Sequence, residues 1–138
     1  MIEVEAYQWG WSVHYPAANV TTGDRIVLPV DRNVRFVLGS RDVIHSLYVP
    51  ALGVKQDVLP GSETVARTRA TETGEHRLYC AELCGAGHSR MQGTVVVLNG
   101  TAYDRWVERR RGEESARSAT AAETTGPSRG APQRSGVG

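Results

Sequence analysis

Both cysteines of the chain fall inside a twelve-residue run, Cys80-Ala-Glu-Leu-Cys84-Gly-Ala-Gly-His88-Ser-Arg-Met91, with one of its four histidines and one of its two methionines. Thiolate, imidazole and thioether make a soft donor set: sulfur favours copper(I), and imidazole accepts copper in either oxidation state. Gly85 and Gly87 give the run the backbone freedom of a loop between two strands, in which several side chains turn toward one point. The C-x3-C-x3-H-x2-M spacing therefore describes most of a copper site folded into one loop.

Three plainer uses of these residues compete with that reading. Two cysteines in an exported domain can form a disulfide. Cys and His are also the usual ligands of structural zinc, but Met is not, and C-x3-C departs from the C-x2-C finger spacing. A mononuclear blue-copper site takes one Cys, two His and a weak Met, so the second Cys here is surplus. Two thiolates can instead bridge two copper ions, each completed by one His and one weak ligand. That scheme needs a second histidine from elsewhere in the chain.

Length and charge set the remaining bounds. At 138 residues, with 40% apolar and 22% charged residues, the chain has the composition of one globular domain. Net charge is +1, and residues 1–100 alone carry ten acids against nine bases, so nothing favours nucleic acid as a partner. No stretch approaches the roughly 18–20 apolar residues of a membrane span, and no leader precedes the globular pattern. The expectation is either a cytosolic protein or one whose export and anchoring segments lie outside this sequence. The copper loop favours the second.

Most of the chain reads as short strands. Residues 2–9 (IEVEAYQW) alternate at the β period, with Ile2, Val4, Ala6 and Gln8 on one face. Trp9-Gly10-Trp11 continues the extended chain with both indoles on the same side, as packing residues or with one at the surface as a contact for an electron donor. Further strands are predicted over 25–30, 33–39, 43–50, 63–70, 75–80 and 94–98, with Asp31-Arg32 as a turn and 54–59 short and irregular. His45 is the one histidine embedded in an apolar strand, which makes it the candidate for the missing ligand. His14 and His76 are read as exposed.

Residues 101–111 predict a short helix capped by Thr101 or Asn99, with Tyr103, Trp106 and Val107 on one side. Residues 112–138 have almost nothing apolar beyond alanine and predict a disordered tail. The resulting expectation is all-β, an antiparallel Greek-key sandwich or barrel of cupredoxin type over 1–100, followed by helix and tail.

The motifs carry a resemblance. QWGWSVHY, VIHSLYVPALGVKQDVLPG and CAELCGAGHSRMQG resemble the copper-bearing extramembrane domain of cytochrome c oxidase subunit II, the domain with the binuclear CuA centre, from about Tyr7 to Trp106. A similar centre occurs in nitrous-oxide reductase, at the end of a much larger chain. The resemblance implies that Cys80 and Cys84 bridge two coppers, with His45 and Met91 completing one and His88 and the backbone carbonyl of Glu82 the other. It implies a Mg2+ or Mn2+ site at the Glu82 side chain on the boundary with subunit I, toward which Lys55 and Asp57 pack. It makes Trp9 the point where electrons from cytochrome c come in. It also implies an extracytoplasmic, periplasmic position on a bacterial or archaeal plasma membrane, held by N-terminal membrane helices that are absent from this chain.

Two departures from the family pattern stand out. Gly10 replaces a residue that is often aromatic, which predicts a flatter contact surface. Arg41 stands where an acid is common, which predicts weak electrostatic steering of a cationic donor. The rival functions are a copper chaperone, for which the chain lacks helices before residue 100, and a mononuclear cupredoxin carrier. A quinol-oxidase subunit of this fold is excluded, because it lacks the ligands present here.

Overall fold

The computed structural model describes residues 1–135, with side chains to Arg117. Ten strands form two sheets. In chain order they are β1 (Ile2–Tyr7), β2 (Gly10–Tyr15), β3 (Val20–Gly23), β4 (Arg25–Pro29), β5 (Asn33–Ser40), β6 (His45–Val49), β7 (Val54–Val58), β8 (Thr64–Arg69), β9 (Gly74–Cys80) and β10 (Gln92–Leu98). One sheet has the order β3-β2-β1-β5-β8 and the other β4-β10-β9-β6-β7. Each contains one parallel pair, β1 with β5 and β10 with β4, so the expected sandwich is present but its sheets are mixed rather than wholly antiparallel.

Alternation decides which faces meet. Ile2, Val4 and Ala6 of β1 and Val34, Phe36 and Leu38 of β5 point inward, while Glu3, Glu5 and Arg35 face water. They pack against Ile26 and Leu28 of β4, Leu47 and Val49 of β6 and Val95 and Val97 of β10 in one continuous core. The chain changes sheets at Asp24 and again at Asp31, both with positive φ (51° and 60°). The Asp24 carboxylate accepts from the N–H of Trp11 (2.7 Å) and its backbone carbonyl from Thr94 (3.0 Å), so one residue ties the two sheets. The expected turn at Asp31-Arg32 is therefore the one that carries the chain from one layer to the other.

Several expectations need correction. β1 and β2 form a hairpin whose loop is Gln8-Trp9, with Tyr7 opposite Gly10, so the extended chain does not run through Trp9. The two indoles consequently part: Trp11 is fully buried and Trp9 is 41% exposed. Gln8 lies over the copper loop instead of on the inward face. Gly10 is buried, and a Cβ there would come within 2.8 Å of the Tyr7 hydroxyl, so its missing side chain relieves an interior clash and does not flatten the surface. Residues 54–58 form a full strand against β6, and β3 is a strand that the sequence reading lacks.

The helix α1 (Gly100–Ser135) is capped by Asn99, whose side-chain oxygen accepts from the N–H of Ala102 at 2.8 Å. Trp106 sits edge-on to Tyr15, with ring centroids 5.2 Å apart, and seals the core at this end. The helix expected over 101–111 is present and its path runs on to Ser135; residues 136–138, at the end of the expected tail, lie outside the described residues. Pairs of Arg and Glu three or four positions apart (Arg111–Glu108, Arg110–Glu113, Arg110–Glu114, Arg117–Glu114) line it, each worth a few tenths of a kcal/mol to a helix.

Candidate metal centre

The site forms where three segments meet at the end of the sandwich away from α1. β9 ends at Cys80, β10 begins at Gln92, and the loop between them folds back through a 3-10 turn at His88–Arg90. The N–H of Cys80 bonds to the carbonyl of Met91 (3.2 Å), which closes the loop at its base. β6 pairs with β9 through Leu47 opposite Cys80, and this register brings His45 to the sulfurs.

The donor atoms converge. Cys80 Sγ and Cys84 Sγ lie 3.7 Å apart, and both thiols are free and buried. That is too far for a disulfide bond of about 2.05 Å, yet one ion at a usual metal–sulfur distance of about 2.3 Å could touch both sulfurs. His45 Nδ1 is 3.8 Å from Cys80 Sγ, His88 Nδ1 is 3.6 Å from Cys84 Sγ, and Met91 Sδ is 3.6 Å from Cys84 Sγ. The Cys80 thiol donates to the backbone carbonyl of Glu82 at 3.2 Å, so that carbonyl faces the cluster, while Glu82 as a residue is exposed. The ligand atoms of His45, Cys80 and Cys84 all lie within 4.8 Å of one another. The six positions named from the sequence are thus brought together, Glu82 through its backbone. The donor set, soft sulfur flanked by imidazole, fits copper.

Burial shapes the chemistry of these groups. Desolvation and the neighbouring Cys80 push the Cys84 thiol up to about 11, so in the metal-free chain it carries its proton, and binding a cation there releases it. Desolvation also raises the Asp42 carboxyl. Hydrogen bonds from His45 and from the N–H groups of Gln8 and Val43 outweigh that effect and leave it below its ordinary value. The Asp42 contact, 2.9 Å from its Oδ1 to His45 Nε2, leaves Nδ1 free to face the sulfurs.

Trp9 lies flat on the loop. Its indole N–H donates to the carbonyl of Cys84 (3.3 Å), and a Cβ on Gly87 would fall 2.3 Å from Trp9 Cδ2. Glycine at 87 is what allows that contact. Leu83, 79% exposed next to Cys84 in the chain, and Ile44, 47% exposed next to His45, add apolar surface to a loop that also exposes Glu82, Ser89 and Arg90. Arg41 is held by Glu5 at 2.6 Å and stacks over the Tyr7 ring at 4.7 Å, so its charge is locally answered. Lys55 and Asp57 are exposed on β7, and His14 bonds to Thr21 away from the site. The sequence reading missed Gln8 and Asp42 as supports, although Asp42 stands three residues before His45 in the segment that supplies the ligand.

Fold and site together define a cupredoxin-like domain in which His45, Cys80 and Cys84 form a group that could hold a metal ion. The sequence model described as cytochrome C oxidase subunit II, periplasmic domain, matches residues 17–99, and the chain belongs to that family. It is 39% identical over 107 residues to cytochrome c oxidase subunit 2 of Alkalihalophilus pseudofirmus, covering 78% of this chain and 31% of the relative. The chain thus spans about a third of the length of that relative. Among solved structures it is similar to the periplasmic domain of subunit II of cytochrome oxidase of Bradyrhizobium japonicum, with TM-score 0.77 and 29% identity over 81% of this chain and 93% of that one. A heme-copper terminal oxidase dimer also contains a similar chain, with TM-score 0.59, 26% identity and coverage of 70% and 63%.

Proposed function

We propose that this chain is the extracytoplasmic electron-relay domain of a cytochrome c oxidase, holding two copper ions in a CuA centre, accepting electrons from cytochrome c and passing them toward the haem of subunit I. The observation that carries this reading is the pair of free thiols 3.7 Å apart with an imidazole beside each. Cys80 and Cys84 would be shared by the two ions, with His45 and Met91 as further donors to one and His88 and the Glu82 carbonyl as further donors to the other. A thiolate-bridged copper pair shares one electron over both metals. The protein's part is to hold the donors in one arrangement for both redox states, which buried positions on a sheet edge and a base-locked loop do. Its exposed Trp9, seated on the Cys84 carbonyl, is the contact for the donor. Glu82 offers its exposed carboxylate to a Mg2+ or Mn2+ ion at the boundary with subunit I, with Lys55 and Asp57 facing the same partner. Family membership in a periplasmic-domain group supports the extracytoplasmic position.

The test is metal content and electron paramagnetic resonance of the full chain after copper loading. Two coppers per chain with hyperfine coupling to both nuclei is the expected result. One copper, coupled to a single nucleus, points to a mononuclear carrier or a chaperone and overturns the reading. In stopped flow, Trp9→Ala should keep both coppers and slow uptake from reduced cytochrome c, with weak salt dependence, since Arg41 is already paired and residues 1–100 sum to −1. An unchanged rate removes Trp9 from the path.

A further inference from the structure

We propose that Gln8 is a positioning residue which clasps the metal loop to the support of its distant histidine, an inference that rests on the function proposed above. Three segments far apart in sequence meet at this one residue. The backbone N–H of Gln8 donates to Asp42 Oδ2 at 2.7 Å. Asp42 Oδ1 accepts from the N–H of Val43 (2.6 Å) and contacts His45 Nε2 (2.9 Å). The side-chain amide of Gln8 reaches the other way and donates to the carbonyl of Cys84 at 2.8 Å. The main chain of Gln8 thus bonds the carboxylate that orients His45, and its side chain bonds the residue that supplies the second thiol.

Gln8 is exposed, so apolar burial does not explain where it points. Its two hydrogen bonds do. The requirement is narrow. The residue must supply an N–H donor at the distance of a glutamine amide: asparagine is one methylene too short, and glutamate presents oxygen to an oxygen. The same Cys84 carbonyl also receives the Trp9 indole N–H, so the clasp and the donor contact share an acceptor. A loop released from Gln8 would move Cys84 and Trp9 together, while His45 would keep its Asp42 contact. The clasp therefore fixes the distance between the two halves of the ligand set.

Amide hydrogen exchange on the metal-free 138-residue chain tests this, comparing wild type with Gln8→Leu and Gln8→Glu. The amides of His88, Arg90 and Met91, bonded inside the loop at 3.0–3.1 Å, report its closure, and those of Val95–Val97 in β10 report the sandwich. Loss of one such bond should speed loop exchange about fivefold in both variants and leave β10 unchanged. In the copper-loaded chain both variants should keep the metal but alter the hyperfine pattern, a readout that a residue serving only general stability would not move. Loop amides exchanging at the wild-type rate overturn the proposal whatever the spectrum shows, as does an equal acceleration in β10. A wild-type chain that fails to take up two coppers would sink the proposed function and leave the exchange result standing.

Discussion

The two ends of the sandwich are held by different forces. At the metal end the chain from residues 81 to 91 has only one 3-10 turn, and the contacts that fix it are directional: sulfur to imidazole, amide to carbonyl, carboxylate to histidine. At the helix end Tyr15, Tyr103 and Trp106 pack ring against ring over a common core. A hydrogen bond there is incidental to area removed from water, except for Tyr15, whose hydroxyl accepts the buried N–H of Val27 at 2.8 Å. Stability and function are thus stored at opposite ends. Apolar burial is worth about 25 cal/mol per Å2 but does not care about angle; a ligand set needs angle more than it needs energy.

Substitutions at the two ends should therefore be separable. The largest effect on stability belongs to Trp106→Ala, which removes a buried indole from the helix end and should cost about 3–5 kcal/mol. Copper content and spectrum of the folded fraction should stay as in wild type. A changed spectrum would mean that the ends communicate, and the division drawn here would fail.

The next effect is alkaline. Desolvation raises the Tyr15 hydroxyl to about 12 from 10.0, so the folded state resists an ionisation that the unfolded chain undergoes freely. The sign follows: the contribution is complete below pH 10 and is lost as pH rises through 12. Stability should fall there with a slope of at most about 1.4 kcal/mol per pH unit from this group. Denaturant melts of the metal-free chain across pH 9–12, beside Tyr15→Phe, measure it. The variant should lose that part of the slope while starting from a lower plateau, because Val27 N–H loses its acceptor. An identical slope in both would assign the alkaline loss elsewhere.

The smallest stability change is expected at the metal end, from Gly87→Ala. The added Cβ would sit 2.5 Å from Trp9 Cγ, so the indole must leave the loop. Because Trp9 is already partly solvated, the cost should be only about 1 kcal/mol, yet its fluorescence should shift to the red and become easier to quench with iodide. An unmoved emission would show that the loop, and not the indole, yields.

The same contrast explains what could be read from sequence. Strands with clean alternation, such as Ile2–Tyr7 and Asn33–Ser40, declare themselves, because burial on one face imposes period two. The residues of the candidate site were legible for a chemical reason: few other roles call for Cys, His and Met at such spacing. β3 and β7 were not. Val20–Gly23 buries one residue, and Val54–Val58 is apolar only at its two ends; both are strands because a neighbour supplies the ladder. The Trp9 and Trp11 faces were misjudged because parity holds only while a strand continues, and the hairpin at Gln8-Trp9 resets it. Gln8 and Asp42 were invisible as a pair, since 34 residues separate them and only the folded sheets bring them together.

The pairing of Leu47 with Cys80 has a consequence in time as well as in space. Five donors lie within one loop, but His45 is 35 residues away from Cys80. Closing a flexible segment of that length costs about 3 kcal/mol in chain entropy. A nascent chain that met metal before β6 and β9 had zipped would hold it by the loop alone, with one imidazole short. The sheet thus gates the site: until β6 pairs with β9, His45 does not stand beside the sulfurs.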